Sequence, residues 1–427
     1  MSFDTVSVIG LGYIGLPTAA MFAAYGKNVI GVDVNQHAVD TINRGEIHIV
    51  EPALDAIVHK AVTEGKLKAV LSPETADAFL IAVPTPFLSG SEQGEIPKPN
   101  LEYIESAAKA VASVLKKGDL VVLESTSPVG ATEQMADWLA QARADLTFPK
   151  THGEESDIRI AHCPERVLPG HIVRELVEND RVIGGLTPKC SAAAIELYKT
   201  FVQGECLVTN ARTAEMAKLT ENASRDVSIA FANELSVICD KLDINVWELI
   251  QLANRHPRVN ILQPGPGVGG HCIAVDPWFI VSKTPIQAQL IHTARKVNDA
   301  KPDWVINKVK LAIADFLVAN THKTAKDISI ACLGLAFKPD IDDLRESPAL
   351  NITRAICSMH PGLLMVVEPN IANLPSSLVE SVELMNLDAA INVADIVVVL
   401  VDHKEFKGLE FNRNKFVIDT KGIVKTL

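Results

Sequence analysis

The stretch Thr5-Val-Ser-Val-Ile-Gly10-Leu-Gly12-Tyr13-Ile14-Gly15, with Asn28-Val-Ile-Gly-Val-Asp33 after it, decides how the chain folds. Its β-branched run predicts a buried strand over 5–10, then a helix over 12–24 and a second strand over 28–34. The glycines between the first strand and the helix read GxGxxG, in the context that gives this motif its meaning. Gly10 permits the tight turn and Gly12 lets backbone approach a pyrophosphate. Gly15 allows close packing of the helix on its strand, with the positive helix end facing the anion. Tyr13 and Ile14 belong to the same turn. Asp33 closes the second strand, where a carboxylate accepts from ribose hydroxyls and disfavours a 2′-phosphate. The expected cofactor is NAD rather than NADP.

Outward from this unit, strand-like runs recur at 79–83, 120–124, 159–161 and 181–184, with helical stretches such as 101–115 between them. The alternation predicts an α/β fold with a parallel sheet covered on both faces. Two of these strands end in Ala82-Val-Pro-Thr85 and Glu124-Ser-Thr126, at the edge where such sheets bind ligands. Thr85 and Thr126 are therefore expected to contact the dinucleotide, although threonines there also form turns and caps. Polar segments 88–100 and 149–157 read as surface loops. From 213 to 252 glycine and proline almost vanish, and Met216, Leu219, Ala223, Val227, Phe231, Leu235 and Ile238 recur at helical spacing. A long helix followed by at least one more is predicted. Strand-like runs resume at 328–333, 364–367, 395–401 and 416–418. Three regions are expected: an N-terminal Rossmann-like α/β domain over 1–205, a central helical segment over 206–305, and a C-terminal Rossmann-like α/β domain over 306–427.

The chain has 427 residues and a formal charge of −12, which argues against nucleic acid or an anionic membrane as partner. Its longest apolar runs, such as 396–401, fall far short of the roughly 20 residues a membrane helix needs. The first ten residues lack a basic n-region and run into a strand, so no signal peptide is expected. Seven scattered cysteines, none spaced as CxxC, fit a reducing, cytoplasmic setting and give no zinc signature. No metal is expected.

The substrate side is sought in the helical region. Glu215, Lys218, Asn222 and Arg225 lie three or four residues apart and share a helix face. Such a stripe is ordinarily solvated, but a lysine desolvated beside a reactive loop takes on proton transfer. The loop in question is Gln263-Pro-Gly265-Pro-Gly267-Val-Gly269-Gly270-His271-Cys272-Ile-Ala-Val-Asp276. Four glycines in six residues suggest backbone N–H groups open to a ligand. Cys272 at the end of this loop is either a buried structural thiol or an activated nucleophile. Upstream, Asn254-Arg255-His256-Pro-Arg258 is a plain charged turn or a cationic cluster suited to an anionic substrate.

Taken in order, these blocks resemble the nucleotide-sugar 6-dehydrogenases, the family of UDP-glucose and GDP-mannose dehydrogenases. The likeness spans residues 6–421 and includes Cys163-PERVLPG, Thr213-AEMAKLTEN and Gly334-LAFKPDIDDLRESPA. It implies an N-terminal NAD domain, a central helical segment forming a homodimer contact, and a C-terminal UDP-binding domain. Matched by position, Cys272 takes the place of the nucleophile and Lys218 that of the acid/base. Asn222 and Asp276 match the pair that positions water and the reacting oxygens, and Glu165 an acid near the reacting carbon. Arg166, Val167, Arg225, His256, Arg258, Gly269, Phe337, Lys338 and Arg345 fall at positions that would contact the sugar nucleotide.

One departure concerns the sugar. UDP-glucose dehydrogenases tend to read GGSCFQKD where this chain has Gly269-Gly270-His271-Cys272-Ile273-Ala274-Val275-Asp276. Together with the Arg255–Arg258 cluster, this resembles the branch acting on UDP-N-acetyl-D-mannosamine, which serves bacterial surface polysaccharides such as enterobacterial common antigen. Oxidation of UDP-N-acetylglucosamine or UDP-glucose is the alternative. Two other classes stay open from the residues alone: an NAD enzyme that keeps its cofactor, such as an epimerase, and a non-catalytic nucleotide-sugar sensor.

Overall fold

Strands β1 (Thr5–Ile9), β2 (Asn28–Val32), β3 (Leu67–Val70), β4 (Ala78–Ile81), β5 (Leu120–Leu123), β6 (Arg159–His162), β7 (Arg181–Gly185) and β8 (Cys206–Asn210) form one sheet. The computed structural model describes residues 3–49, 51–88, 95–168, 170–270, 272–378, 382–412 and 415–426. The chain falls into two units, Met1–Glu221 with Ser282–Thr284 and Asn222–Val281 with Pro285–Leu427. In the first, the strand order is β3-β2-β1-β4-β5-β6-β7-β8, parallel except where β6 meets β7. The chain leaves β1 toward β2 and β3, then returns to β4 on the other side. Loops after β1 and β4 therefore diverge and open a crevice at the carboxyl ends of the strands.

Burial explains the composition of these strands. Leu120 and Val122 enter the core on one face of the sheet, while Val121 and Leu123 enter the core on the other. A strand covered on both faces needs an unbroken apolar run. Burying each such side chain contributes about 1.5–3 kcal/mol. The helix Gly15–Ala24 is buried from Gly15 to Ala23, which ties the glycine turn rigidly to β1.

The structure alters several sequence expectations. The first helix begins at Gly15, because 12–14 form the turn, and β2 stops at Val32. Segment 149–157 contains a helical turn, Pro149–His152, and a 3₁₀ turn, Gly153–Glu155. In 88–100, residues 89–94 lie outside the described residues, and Phe87 bridges to Pro99. Strands β3 and β8 carry no sequence signal strong enough to predict: both lie at the sheet edges, and β8 exposes Leu207 and Val208.

The second unit opens with helical elements. The helix Ala211–Lys241 contributes residues to both units, and Val246–Ala253, Asp276–Lys283 and the 31-residue Gln289–Ala319 follow. Its parallel sheet has the order β11-β10-β9-β12-β14, from β9 (Ile330–Leu333), β10 (Leu364–Val367), β11 (Glu383–Leu384), β12 (Ile396–Val399) and β14 (Phe416–Asp419). A small pair, β13 (Glu410–Phe411) with β15 (Lys425–Thr426), lies apart. The fold is thus α/β, with Rossmann-like N- and C-terminal regions and helices between. Among the described residues, no helix is long and apolar enough to cross a membrane. The apolar stripe of Ala211–Lys241 is only partly covered: Leu219 and Ala223 are buried, but Phe231 and Ile238 are 53% and 44% exposed.

Candidate active site

The glycine turn after β1 has the shape its sequence suggests. Gly10 sits at φ +91°, and a Cβ there would lie 2.6 Å from the carbonyl oxygen of Ala82. A Cβ on Gly15 would collide with the carbonyl of Gly10, whereas one on Gly12 would meet no described atom within 4 Å. Two glycines are therefore required by the protein's own packing, and the third leaves space for a ligand. The helix Gly15–Ala24 starts after Ile14 with no side-chain cap and no acid in its first turn; Leu16 N–H donates to the Gly12 carbonyl and Pro17 has no N–H, so the helix dipole and the turn backbone are what an anion meets. Tyr13 is 37% exposed beside them.

Asp33 accepts from Leu11 N–H and Asn35 N–H, both at 2.9 Å, through different oxygens. Each oxygen keeps a second lone pair for a ribose hydroxyl. The Thr85 hydroxyl is buried and has no hydrogen-bond partner among the described residues, which marks it for a ligand. Thr126 is half-buried in the loop that ends at Gly130. These groups fit the pyrophosphate and ribose of NAD. Asp33→Ala is accordingly expected to raise KM for NAD about tenfold and to relax rejection of NADP. Unchanged kinetics with both cofactors would remove Asp33 from the site.

Glu215, on the helix Ala211–Lys241, is buried rather than solvated. Its carboxylate accepts from Gly130 N–H (2.7 Å), Thr132 N–H (2.8 Å) and the Thr132 hydroxyl (2.7 Å). It thereby caps Ala131–Ala142, whose own cap residue, Gly130, offers no side chain. Burial nonetheless pushes its pKa upward. Lys218, one turn further on, is half-buried and forms no ion pair among the described residues. The stripe inferred from sequence therefore divides: Glu215 is structural, while Arg225 is exposed.

Glu165 lies in a buried charged cluster. Its carboxylate accepts from Arg181 Nη1 at 2.7 Å and from Arg166 N–H at 2.6 Å. Arg181 is 3% exposed and stacks over the Tyr198 ring, 5.1 Å from its centre. Tyr198 donates to Glu124 at 2.5 Å. Burial raises the Glu124 carboxyl to about 7; neighbouring Arg181 opposes this and Glu165 adds to it. The guanidinium pairs with Glu165 alone, and Glu124, held by the Tyr198 hydroxyl, is about half protonated near pH 7. Arg166 pairs with Glu221 at 2.6 Å, and Val167 is half-buried beside it. Glu124, Arg181 and Tyr198 were not singled out by sequence, since isolated charged residues and a lone tyrosine give no signal of burial.

The second unit holds Cys272, which is half-buried. Its carbonyl accepts from Val275 N–H (3.0 Å) and Asp276 N–H (2.8 Å), forming the tight turn into the helix Asp276–Lys283. Asp276 is 3% exposed and accepts from Asn222 Nδ2 at 2.5 Å, so these two candidates do meet. Two glycines of this loop do not offer the free backbone donors their composition suggests. Gly265 N–H is committed to Asn233 Oδ1 (2.9 Å) and Gly270 N–H to the Arg345 carbonyl (3.3 Å). A Cβ on Gly269 would lie 2.6 Å from the Glu346 carbonyl, and one on Gly270 2.9 Å from the Phe337 ring. Those glycines serve close packing between two loops, with Phe337 against Gly269 and Gly270. His271 lies outside the described residues.

Phe337 and Lys338 follow β9, and their loop is fixed by Glu368. That carboxylate accepts from Leu335 N–H (2.7 Å), Ala336 N–H (3.0 Å) and His403 Nε2 (3.0 Å). Burial opposes its charge, but the His403 bond and the backbone donors outweigh this and hold its pKa below the usual range. Asp340, His403 and Glu405 place ligand atoms within 4.8 Å of one another. His403 Nδ1, however, already accepts from Asp340 N–H at 2.9 Å. Lys338 is exposed, and Arg345 binds Asp343 at 2.6 Å. His256 and Arg258 are exposed in the turn after Val246–Ala253, where Asn254 clips both backbone groups of Ile261.

A dinucleotide cradle in one unit and, in the other, a cysteine loop packed against the segment that follows β9 are the parts of an NAD-dependent oxidoreductase. Residues 4–202 match the NAD binding domain of the UDP-glucose/GDP-mannose dehydrogenase family, 212–300 its central domain and 331–426 its UDP binding domain. The chain belongs to that family, as its ordered motifs imply. It is 66% identical over 425 residues to the UDP-N-acetyl-D-mannosamine dehydrogenase of Yersinia pestis, covering 99% of this chain and 100% of the relative. The NDP-N-acetyl-D-galactosaminuronic acid dehydrogenase of Ralstonia nicotianae is 63% identical, with 99% and 97% covered. The structure of the UDP-N-acetyl-mannosamine dehydrogenase from Staphylococcus aureus superposes with a TM-score of 0.81 at 40% identity, over 99% of this chain and 96% of that one.

Proposed function

We propose that this enzyme oxidises the 6-hydroxymethyl group of UDP-N-acetyl-D-mannosamine to the carboxylate. The observation that carries this is full-length identity of 66% to an enzyme of that name, joined to a cysteine at the end of the glycine loop. Per sugar, one alcohol, two NAD⁺ and one water give one uronate, two NADH and three protons. NAD, held by the Gly10–Gly15 turn, Asp33, Thr85 and Thr126, supplies the hydride acceptor. Lys218 takes the hydroxyl proton in the first oxidation. Cys272 thiolate then adds to the aldehyde carbon, giving a thiohemiacetal whose C–H bond can be oxidised to a thioester. Asn222 and Asp276 orient the water that cleaves the thioester and frees the thiolate. In this reading Glu165, Arg166 and Val167 serve the sugar, with Glu165 held from behind by Arg181, and Phe337, Lys338, Arg345, Arg225, His256 and Gly269 serve the nucleotide and its sugar.

Arg258 is the residue through which sugar choice is best tested. A guanidinium makes bidentate, charge-assisted bonds to phosphate or acyl oxygen. Arg258→Ala should lower kcat/KM for the UDP-sugar roughly tenfold to hundredfold, with NAD affinity in the binary complex near native. Native efficiency would make Arg258 a solvated turn charge.

The 63% identity to a galactosaminuronic acid dehydrogenase favours UDP-N-acetyl-D-galactosamine as the second reading. A panel of UDP-N-acetylmannosamine, -glucosamine and -galactosamine with UDP-glucose, products weighed by mass spectrometry, separates them. Highest kcat/KM is expected with the mannosamine compound; a higher value with another sugar overturns the assignment. A homodimer through the exposed Phe231 and Ile238 face is part of the proposal, as is cytoplasmic location, which the scattered cysteines fit.

A further inference from the structure

The helix Ala211–Lys241 carries Asn222, Asp226 and Asn233 four and seven residues apart, on one stripe. Asn233 is fully buried, and its Oδ1 accepts Gly265 N–H at 2.9 Å, at the first glycine of the cysteine loop. That bond fixes the direction of everything behind it. Asn233 Nδ2 donates to Asn298 Oδ1 at 2.9 Å, and Asn298 Nδ2 donates to Asp226 Oδ1 at 2.8 Å. Asp226 is paired with the buried Arg295 at 2.6 Å. The Ser236 hydroxyl donates to the Asn233 carbonyl at 2.6 Å and accepts from Lys301. Turning either amide over would leave buried donors facing donors, so the relay admits one arrangement.

The far end of the loop is held by the same helix. Asn222 Nδ2 donates to Asp276, whose N–H donates to the carbonyl of Cys272. Eleven helical residues separate the two grips, about 16 Å along the axis. The loop is therefore pinned at both ends by one rigid element.

We propose that Asn233 is a positioning residue for this reaction: by fixing Gly265, with Asn222 fixing Asp276, it holds Cys272 where its sulfur can add to the aldehyde carbon. This rests on Cys272 being the nucleophile. The 6-aldehyde of the UDP-sugar separates the two half-reactions. Its oxidation with NAD needs the thiol, whereas its reduction with NADH is the reverse of the first step and does not. Asn233→Ala should slow aldehyde oxidation about tenfold or more and leave aldehyde reduction within about twofold of native. A folding defect would lower both together. Asn233→Asp, which as a buried neutral acid keeps an acceptor for Gly265 N–H and a hydroxyl donor for Asn298 Oδ1, should recover oxidation to within about threefold of native. If Asn233→Ala yields no folded enzyme, Asn298→Ala leaves Asn233 present but unsteered and should slow oxidation alone, by about threefold. Equal loss in both directions, no loss, or an aspartate variant as slow as alanine overturns the proposal. Aldehyde oxidation surviving in Cys272→Ser would instead overturn the nucleophile reading on which it stands.

Discussion

Cys272→Ser is expected to abolish uronate formation while leaving fold, NAD binding and aldehyde reduction intact. A thiol ionises near pH 8.5, so a useful fraction is thiolate at neutral pH, whereas a serine hydroxyl is not ionised there. Addition to the aldehyde then fails, and the second oxidation should fall on the order of a thousandfold, about 4 kcal/mol in barrier. Cys163 and Cys332 do not compensate. Burial pushes Cys163 and Cys332 up to about 12, which keeps them protonated and unreactive. Alkylation by iodoacetamide at pH 7.5 should therefore inactivate the enzyme with label on Cys272 and none on Cys163 or Cys332. Uronate output within tenfold of native from the serine variant would remove the nucleophile from the mechanism.

The second large effect is on stability. Arg181→Leu removes the cation from between Glu165 and Glu124 and strands a buried carboxylate. Breaking a buried pair in this way costs about 3–5 kcal/mol, on the order of a 10 °C fall in Tm. Adding Glu165→Gln to Arg181→Leu should return part of that loss; strict additivity of the two changes would mean the residues do not interact. Glu124 gives the cluster a pH dependence. Its folded pKa, about 7, lies above its unfolded value of 4.5, so the native state binds the extra proton between them. Stability is then greatest below about 4.5 on this account and declines as pH rises through 7, by roughly 3 kcal/mol in all. Glu124→Gln should flatten that decline in urea titrations at pH 5 to 8. An unchanged slope would show that Glu124 does not carry the proton.

What could be read from sequence follows from which signals are local. GxGxxG, Asp33 and the β-branched runs declare themselves within a few residues, because turn geometry and two-sided burial constrain adjacent positions. Strand β8 does not, since an edge strand with exposed Leu207 and Val208 lacks the pattern of a buried one. The roles of charged and amide residues were least legible. Glu165 is expected at the substrate, and nothing local adds that Arg181, sixteen residues away, pairs with its carboxylate. Asn233 and Asn298 stand 65 residues apart, and Asn233 and Gly265 are separated by 32. Their meaning comes from the long helices bringing them together. The glycine loop shows the reverse error: its composition suggested free backbone donors, while the structure uses Gly265 and Gly270 to close it against protein.

A four-electron oxidation through one cysteine fixes the stoichiometry of the reaction. It is tested most directly by counting NADH released per UDP-N-acetyl-D-mannosamine consumed, with the product identified by mass. Two NADH and one uronate are expected for each sugar. A reproducible ratio of one with accumulation of aldehyde, or sugar conversion with no NADH released, would contradict it.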